Sequence, residues 1–164
     1  MANPRIQPTR ALSVIKSNNA DVPYPAPNTS GTDNGVGGSR TTLTDTTKNF
    51  VALNVYAGDI VYDITGQTAA TVAANPLPSS PNSLLLNAPI MNAGDAYIIY
   101  QSSPMAGGQN TGCVLYVGGT GDVVVTTAGN DIVTFFNVQD GAFLPVQILK
   151  VWSATTATDI LALW

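Results

Sequence analysis

Histidine is missing from this chain altogether, and so is glutamate: all 10 acidic residues are aspartate. Histidine is the commonest general acid–base and metal-ligating side chain. Its absence removes Ser–His and Cys–His nucleophile pairs and the usual zinc sites. The lack of glutamate argues against a glycosidase carboxylate dyad. Together with only 6 Lys and Arg, it also removes the residues that favour surface helices. Cysteine occurs once, at Cys113, so no internal disulfide can form. No run approaches the ~18 consecutive apolar residues of a membrane span. The opening residues, MANPRIQPTRALSVIKSNNA, hold no apolar block of signal-peptide length, so the expected site of synthesis is the cytoplasm. Charged residues make up 10% of the chain, against about 25% in average soluble proteins. Net charge is −4, which disfavours binding to a phosphate backbone.

What is present in quantity is Thr, Val, Ile, Tyr, Gly and Asn, the vocabulary of pleated strands and turns. Residues 1–29 read as an extended arm, because Pro4, Pro8, Pro23, Pro25 and Pro27 forbid a continuous helix. Within it, ALSVIK (Ala11–Lys16) has the makings of one strand, and PYPAP (Pro23–Pro27) of a stiff polyproline-like spacer. Residues 30–102 read as a small β-barrel-like unit and 103–164 as a β-sandwich unit. Each opens on a Gly/Ser/Asn-rich loop, Ser30–Arg40 and Ser102–Gly112. In the first, DIVYDIT (Asp59–Thr65) alternates like a half-buried strand. Thr68–Ala74, Ser83–Asn87 and Ala96–Gln101 follow as strands, and Thr46–Asn54 as a single helical turn. In the second, the expected strands are Cys113–Val117, Asp122–Thr127, Ile132–Val138, Leu144–Ser153 and Ile160–Trp164. The predicted fold is therefore all-β: two small barrel or sandwich units with an extended N-terminal arm.

Motifs that suggest chemistry fail on inspection. Gly118-Gly119-Thr120-Gly121 lacks the Lys-Ser/Thr and helix of a phosphate loop and reads as a hairpin turn. Asp59, Asp63 and Asp95 do not have calcium-loop spacing and read as solvated strand-edge charges. Cys113 opens an apolar run and reads as a buried small hydrophobe. Trp152 and Trp164 lie in apolar strands and read as core or subunit interface rather than sugar platforms. Asn28-Thr29-Ser30 fits the glycosylation pattern but is treated as chance without a secretory signal.

Three stretches carry a family resemblance: LYVGGTGDV (Leu115–Val123), LPVQILKV (Leu144–Val151) and TTATDILALW (Thr155–Trp164). They resemble the short β-domain of phage structural proteins and of the spike-base protein of gene-transfer agents. FVALNVYAGDIVYDITGQTAATV (Phe50–Val72) with AGDAYIIY (Ala93–Tyr100) resembles a separate module of phage virion proteins. PTRALSVIKSNNADVPYP (Pro8–Pro25) is similar to the opening of such proteins. The resemblance implies that the N-terminal strand belongs with the C-terminal unit and that the middle unit is an insertion.

The expected function is that of a non-enzymatic bacteriophage virion protein, decorating or cementing the exterior of the capsid. Its expected partners are the major capsid protein and copies of itself, as a homotrimer, with no nucleic acid, membrane, small-molecule substrate or cofactor. The alternatives are a tail or baseplate spike-base protein and a glycan-binding module on the virion surface. Expected contact residues are Ile160, Leu161, Leu163 and Trp164, with Trp152 and with Pro23, Tyr24 and Pro25 of the arm. The ILALW run is apolar on both sides of its pleat, and burying one such side chain is worth about 1.5–3 kcal/mol.

Overall fold

A computed structural model describes residues 8–102 and 110–164. Residues 1–7 of the expected arm and residues 103–109 of the second expected loop lie outside them. The described residues form twelve strands and no helix: β1 (Ala11–Ser13), β2 (Pro27–Thr32), β3 (Thr42–Thr44), β4 (Ile60–Asp63), β5 (Thr68–Thr71), β6 (Ser83–Leu85), β7 (Ala96–Tyr100), β8 (Cys113–Gly119), β9 (Gly121–Thr127), β10 (Ile132–Val138), β11 (Ala142–Val151) and β12 (Thr158–Leu163). The fold is all-β. Its sheets are open, with no closed barrel among the described residues. The chain divides into two compact units. One joins Met1–Val14 to Thr111–Trp164; the other is Ile15–Asn110.

The first unit is one six-stranded antiparallel sheet in the order β1-β12-β8-β11-β9-β10. Strand β1 pairs with β12, Ala11 opposite Leu163 and Ser13 opposite Leu161. The sheet bends at β11. Pro145 has no N–H to give to a ladder, and the register with β8 breaks between Leu144 and Ile148. Beyond that break Ile148 pairs with both Cys113 of β8 and Thr127 of β9, and β11 runs on along β9, Val151 opposite Val125. Strands β8 and β9 thus lie on either side of β11, and the expected hairpin at Gly118–Gly121 is a corner. Glycine is needed there because the backbone of the 155–157 turn runs alongside. A Cβ on Gly121 would sit 2.7 Å from the Ala157 Cα. Asp122 N–H donates to Thr156 Oγ1 (2.8 Å), and Thr156 N–H donates to the Asp122 carbonyl (2.9 Å). Alternation places Cys113, Leu115, Val117, Val123, Val125, Ile160 and Ala162 in the interior.

The second unit packs the four-stranded sheet β2-β7-β4-β5 against the two-stranded ribbon β3-β6. Leu43 and Leu84 of the ribbon meet Val61, Ala70, Tyr97 and Ile99 of the sheet, with Phe50, Val55 and Met91 in the same cluster. Phe50 comes from the expected helical turn. It is one turn only: Leu53 N–H donates to the Asn49 carbonyl (3.0 Å), and the Asn49 side chain caps it by accepting from Ala52 N–H (2.9 Å).

Three expectations change. Strand β4 is not half-buried: Ile60, Val61, Tyr62 and Asp63 are all buried, as in a central strand covered on both faces, and Ile64 falls outside it. The expected loop Ser30–Arg40 begins as the end of β2, and Arg40 bridges to Met91. The segment expected as an arm is extended but does not stand free. Ser17, Ala20 and Val22 are buried. Ser17 Oγ donates to the Ala69 carbonyl (2.8 Å), and the Asn19 carbonyl accepts from Thr71 Oγ1 (3.0 Å) and Asn87 Nδ2 (2.7 Å).

Gly31 in β2 sits over the core, where a Cβ would collide with the Asp45 carboxylate and lie 2.7 Å from the Tyr97 hydroxyl. Overpacking of this kind costs about 1–3 kcal/mol. Urea denaturation of Gly31→Ala should show a loss in that range. The same substitution at Gly37, where no atom lies within 4 Å of an added Cβ, meets no clash and is opposed only by its positive φ of 93°.

Candidate functional site

Two features have the makings of a site: the buried acidic groups of the second unit and the outward apolar face of the first.

Five aspartates of the second unit, Asp33, Asp45, Asp59, Asp63 and Asp95, are between 1% and 6% exposed. Expected solvated charges at Asp59, Asp63 and Asp95 are therefore corrected to buried ones. A buried carboxylate must be hydrogen-bonded, and each of these answers backbone N–H groups at a turn. Asp63 Oδ1 accepts from Gly66 N–H (2.8 Å) and its Oδ2 from the Thr68 hydroxyl (3.2 Å). Asp59 accepts from Tyr56 N–H (3.0 Å) and Ser102 N–H (3.2 Å). Asp95 Oδ2 accepts from both the backbone and the side-chain amide of Asn92 (2.7 and 2.9 Å). Asp33 Oδ1 accepts from Thr44 N–H (2.8 Å), and its Oδ2 holds the Arg40 guanidinium. Aspartate reaches the backbone two or three residues on, which the longer glutamate does less well. Aspartate suits these five positions for that reason. The spacings Asp45-x-Thr47 and Asp63-x-x-Gly66 carry the signal in the sequence. Among the described residues no three acidic or thiol groups gather as a metal site.

Asp45 is held by three donors. Its Oδ1 accepts from Thr47 N–H (2.9 Å) and the Thr47 hydroxyl (2.6 Å), and its Oδ2 from the Tyr97 hydroxyl (2.8 Å). Burial by itself would raise this carboxyl. The bonds from Thr47 and Tyr97 and the charge of Lys48 outweigh it and hold the group below the usual carboxylate range. Burial and the carboxylate push Tyr97 far up, so it stays a donor. Asp59 is shifted upward, because burial outweighs its two backbone bonds. Cys113 is an interior thiol in the first unit, pushed up to about 12 by burial.

The apolar face lies on the side of the six-stranded sheet opposite its interior. Pairing carries it across four strands: Leu163 opposite Ala11 and Val114, and Tyr116 opposite both Leu161 and Phe143. Phe143 is 61% exposed and meets Tyr116 edge-on at 5.2 Å between ring centroids. Pro8, Val114, Phe143, Leu144, Pro145 and Leu163 line a groove of about 540 Å³ on this unit.

Of the expected contact residues, Leu161 and Leu163 lie on that face and are half-buried, while Ile160 is turned into the unit's own interior at 4% exposure. Trp164 is half-buried and docked, its N–H donating to the Arg10 carbonyl (3.0 Å). Trp152 is half-buried, donates from Nε1 to Thr126 Oγ1 (2.9 Å) and has the Lys150 ammonium 5.1 Å from its ring centroid, so the ring already has occupants. In the second unit Pro23 is buried, and Tyr24 and Pro25 are half-buried. Sequence alone locates the β12 side of the face but not Phe143, whose place opposite Tyr116 depends on a long-range register.

Asp45→Ala leaves the Tyr97 hydroxyl and Thr47 N–H without their acceptor, a loss of about 1–3 kcal/mol at pH 7. The pH dependence has a fixed sign. A carboxyl held below its unfolded value contributes stability above that value, about 3.9, and loses it as pH falls through the folded pKa. Urea denaturation at a series of pH values should show the gap between the parent chain and Asp45→Ala narrowing below about pH 4. A gap that widens there would contradict the assignment. No protein-family model, curated protein or solved structure matches the chain.

Proposed function

We propose that the chain is a non-enzymatic structural protein of a bacteriophage virion, decorating or cementing the outside of the head shell. The observation that carries this reading is the division of labour between polar and apolar groups. The buried carboxylates are spent on holding turns, and an outward sheet face that includes the exposed Phe143 is left apolar. That is the chemistry of assembly rather than catalysis. The segments that resemble phage proteins support it too. LYVGGTGDV spans the β8–β9 corner, LPVQILKV is the bent part of β11, and TTATDILALW is β12 with the turn before it. These three stretches therefore fall on the skeleton of one sheet.

In this reading the partners are the major capsid protein and further copies of the chain. Self-association as a trimer through Leu161, Leu163 and Trp164 follows the analogy with other decoration proteins and suits three-fold sites on a shell. A second reading, a spike or fibre seat in the tail, is favoured by one feature. Strand β1 pairs with β12, the arrangement implied by the resemblance to spike-base proteins.

Cryo-electron microscopy of purified particles, with the chain quantified against the shell protein, tests the proposal. Density on the head exterior at a copy number comparable to the shell protein's is expected. Density at the tail alone transfers the function to the second reading, and absence from the particle contradicts both.

A further inference from the structure

Strand β10 forms one edge of the six-stranded sheet, and its only neighbour among the described residues is β9. Thr127 N–H donates to the Asp131 carbonyl (2.9 Å), which makes those residues a hydrogen-bonded pair. Antiparallel alternation then turns the N–H and C=O of Val133 and Phe135 toward β9 and those of Ile132, Thr134 and Phe136 toward the open side. Sheet edges in water are normally blunted by Lys, Pro or an early bulge. Residues 132–136 have no Lys and no Pro, and the bulge comes only after Phe135. Their side chains are costly in water as well: Ile132 is 63% exposed and Phe136 77%.

We infer that a second copy of this chain covers the edge, β10 against β10, antiparallel about a two-fold axis through Thr134. The sequence is self-complementary in that register. Ile132 stands opposite Phe136 of the second copy, Val133 opposite Phe135, and Thr134 opposite itself. Aromatic with β-branched and Thr with Thr are favoured cross-strand pairs. Asp131 falls opposite Asn137, so no like charges meet. The groups on the open side are those that close the ladder: Thr134 exchanges both its bonds with its counterpart, and Ile132 exchanges with Phe136. Moving the axis to Val133 would oppose Asp131 to Phe135 and break the pattern. The contact is isologous and self-limiting. It uses the opposite end of the sheet from β12, and it does not depend on where the protein resides.

Thr134→Pro removes an N–H from the open side alone and leaves the β9 ladder intact, a strand position that accepts proline. Multi-angle light scattering on the full chain should show the mass of the assembly falling by half, with an unchanged far-ultraviolet circular dichroism spectrum. Thr134→Cys gives a second, independent readout. Hydrogen-bonded pairs hold their Cα atoms about 5.5 Å apart, within disulfide range. Mild oxidation should convert this variant to a covalent dimer, while Gln139→Cys, beyond the strand, stays uncross-linked. A parent chain of 17.0 kDa at micromolar concentration overturns the inference. So does an unchanged mass in a folded Thr134→Pro. Should that variant fail to fold, cross-linking decides: no covalent dimer from Thr134→Cys, or an equal yield from Gln139→Cys, overturns it.

Discussion

The ladder between β1 and β12 is the constraint on which the remaining architecture depends. It ties Ala11–Ser13 to Leu161–Leu163, about 150 residues apart in sequence, so the chain between β1 and β8 must leave the six-stranded sheet and return to it. Closing so long a loop costs only slowly more than closing a short one, since the entropy grows with the logarithm of length. A compact second unit, Ile15–Asn110, can therefore be accommodated between β1 and β8 without undoing the sheet. The pairing also holds Trp164 in place, through backbone bonds with Arg10.

Within the second unit, buried aspartates take the place that helix caps and ion pairs hold in more highly charged proteins. Short antiparallel strands need many turns, and every turn leaves backbone N–H groups to satisfy. Asp33, Asp45, Asp59, Asp63 and Asp95 satisfy them from inside, where a charge-assisted bond is stronger than a neutral one. The cost is steric. Gly31 must stay without a side chain so that β2 can lie over the Asp45–Tyr97 pair. Half of the chain's ten aspartates are thus placed in the interior of the second unit, and on the first unit Phe143 and Phe136 stand exposed.

Strand content is legible in the sequence wherever apolar residues alternate or run between turn signals. Cys113–Val117, Ile132–Val138 and Ala96–Gln101 all fall on strands. Strands β2 and β3 escape because Pro27, Gly31 and the Thr-rich stretch at Thr42–Thr44 look like loop, and their pairing with β7 and β6 is long-range. The corner at Gly118–Gly121 looks like a hairpin because turn residues do not reveal whether another strand comes between the two they join. The aspartates look solvated because burial is a tertiary property, although their Asx-turn spacings are in plain view. The half-burial of Leu161 and Leu163 follows from a pleat apolar on both sides, while the opposition of Tyr116 to Phe143 requires the register of β8 with β11.

Native-state hydrogen exchange, read residue by residue, tests the joining of β1 to the C-terminal sheet most directly. Val14 N–H donates to the Ile160 carbonyl (2.9 Å), and Leu12 stands opposite Ala162 in the same ladder. Their amides should open with the same free energy as those of β8 and β12, as members of one cooperative unit. Exchange of Leu12 and Val14 at the rate of an unstructured peptide, while β8 stays protected, would contradict the account.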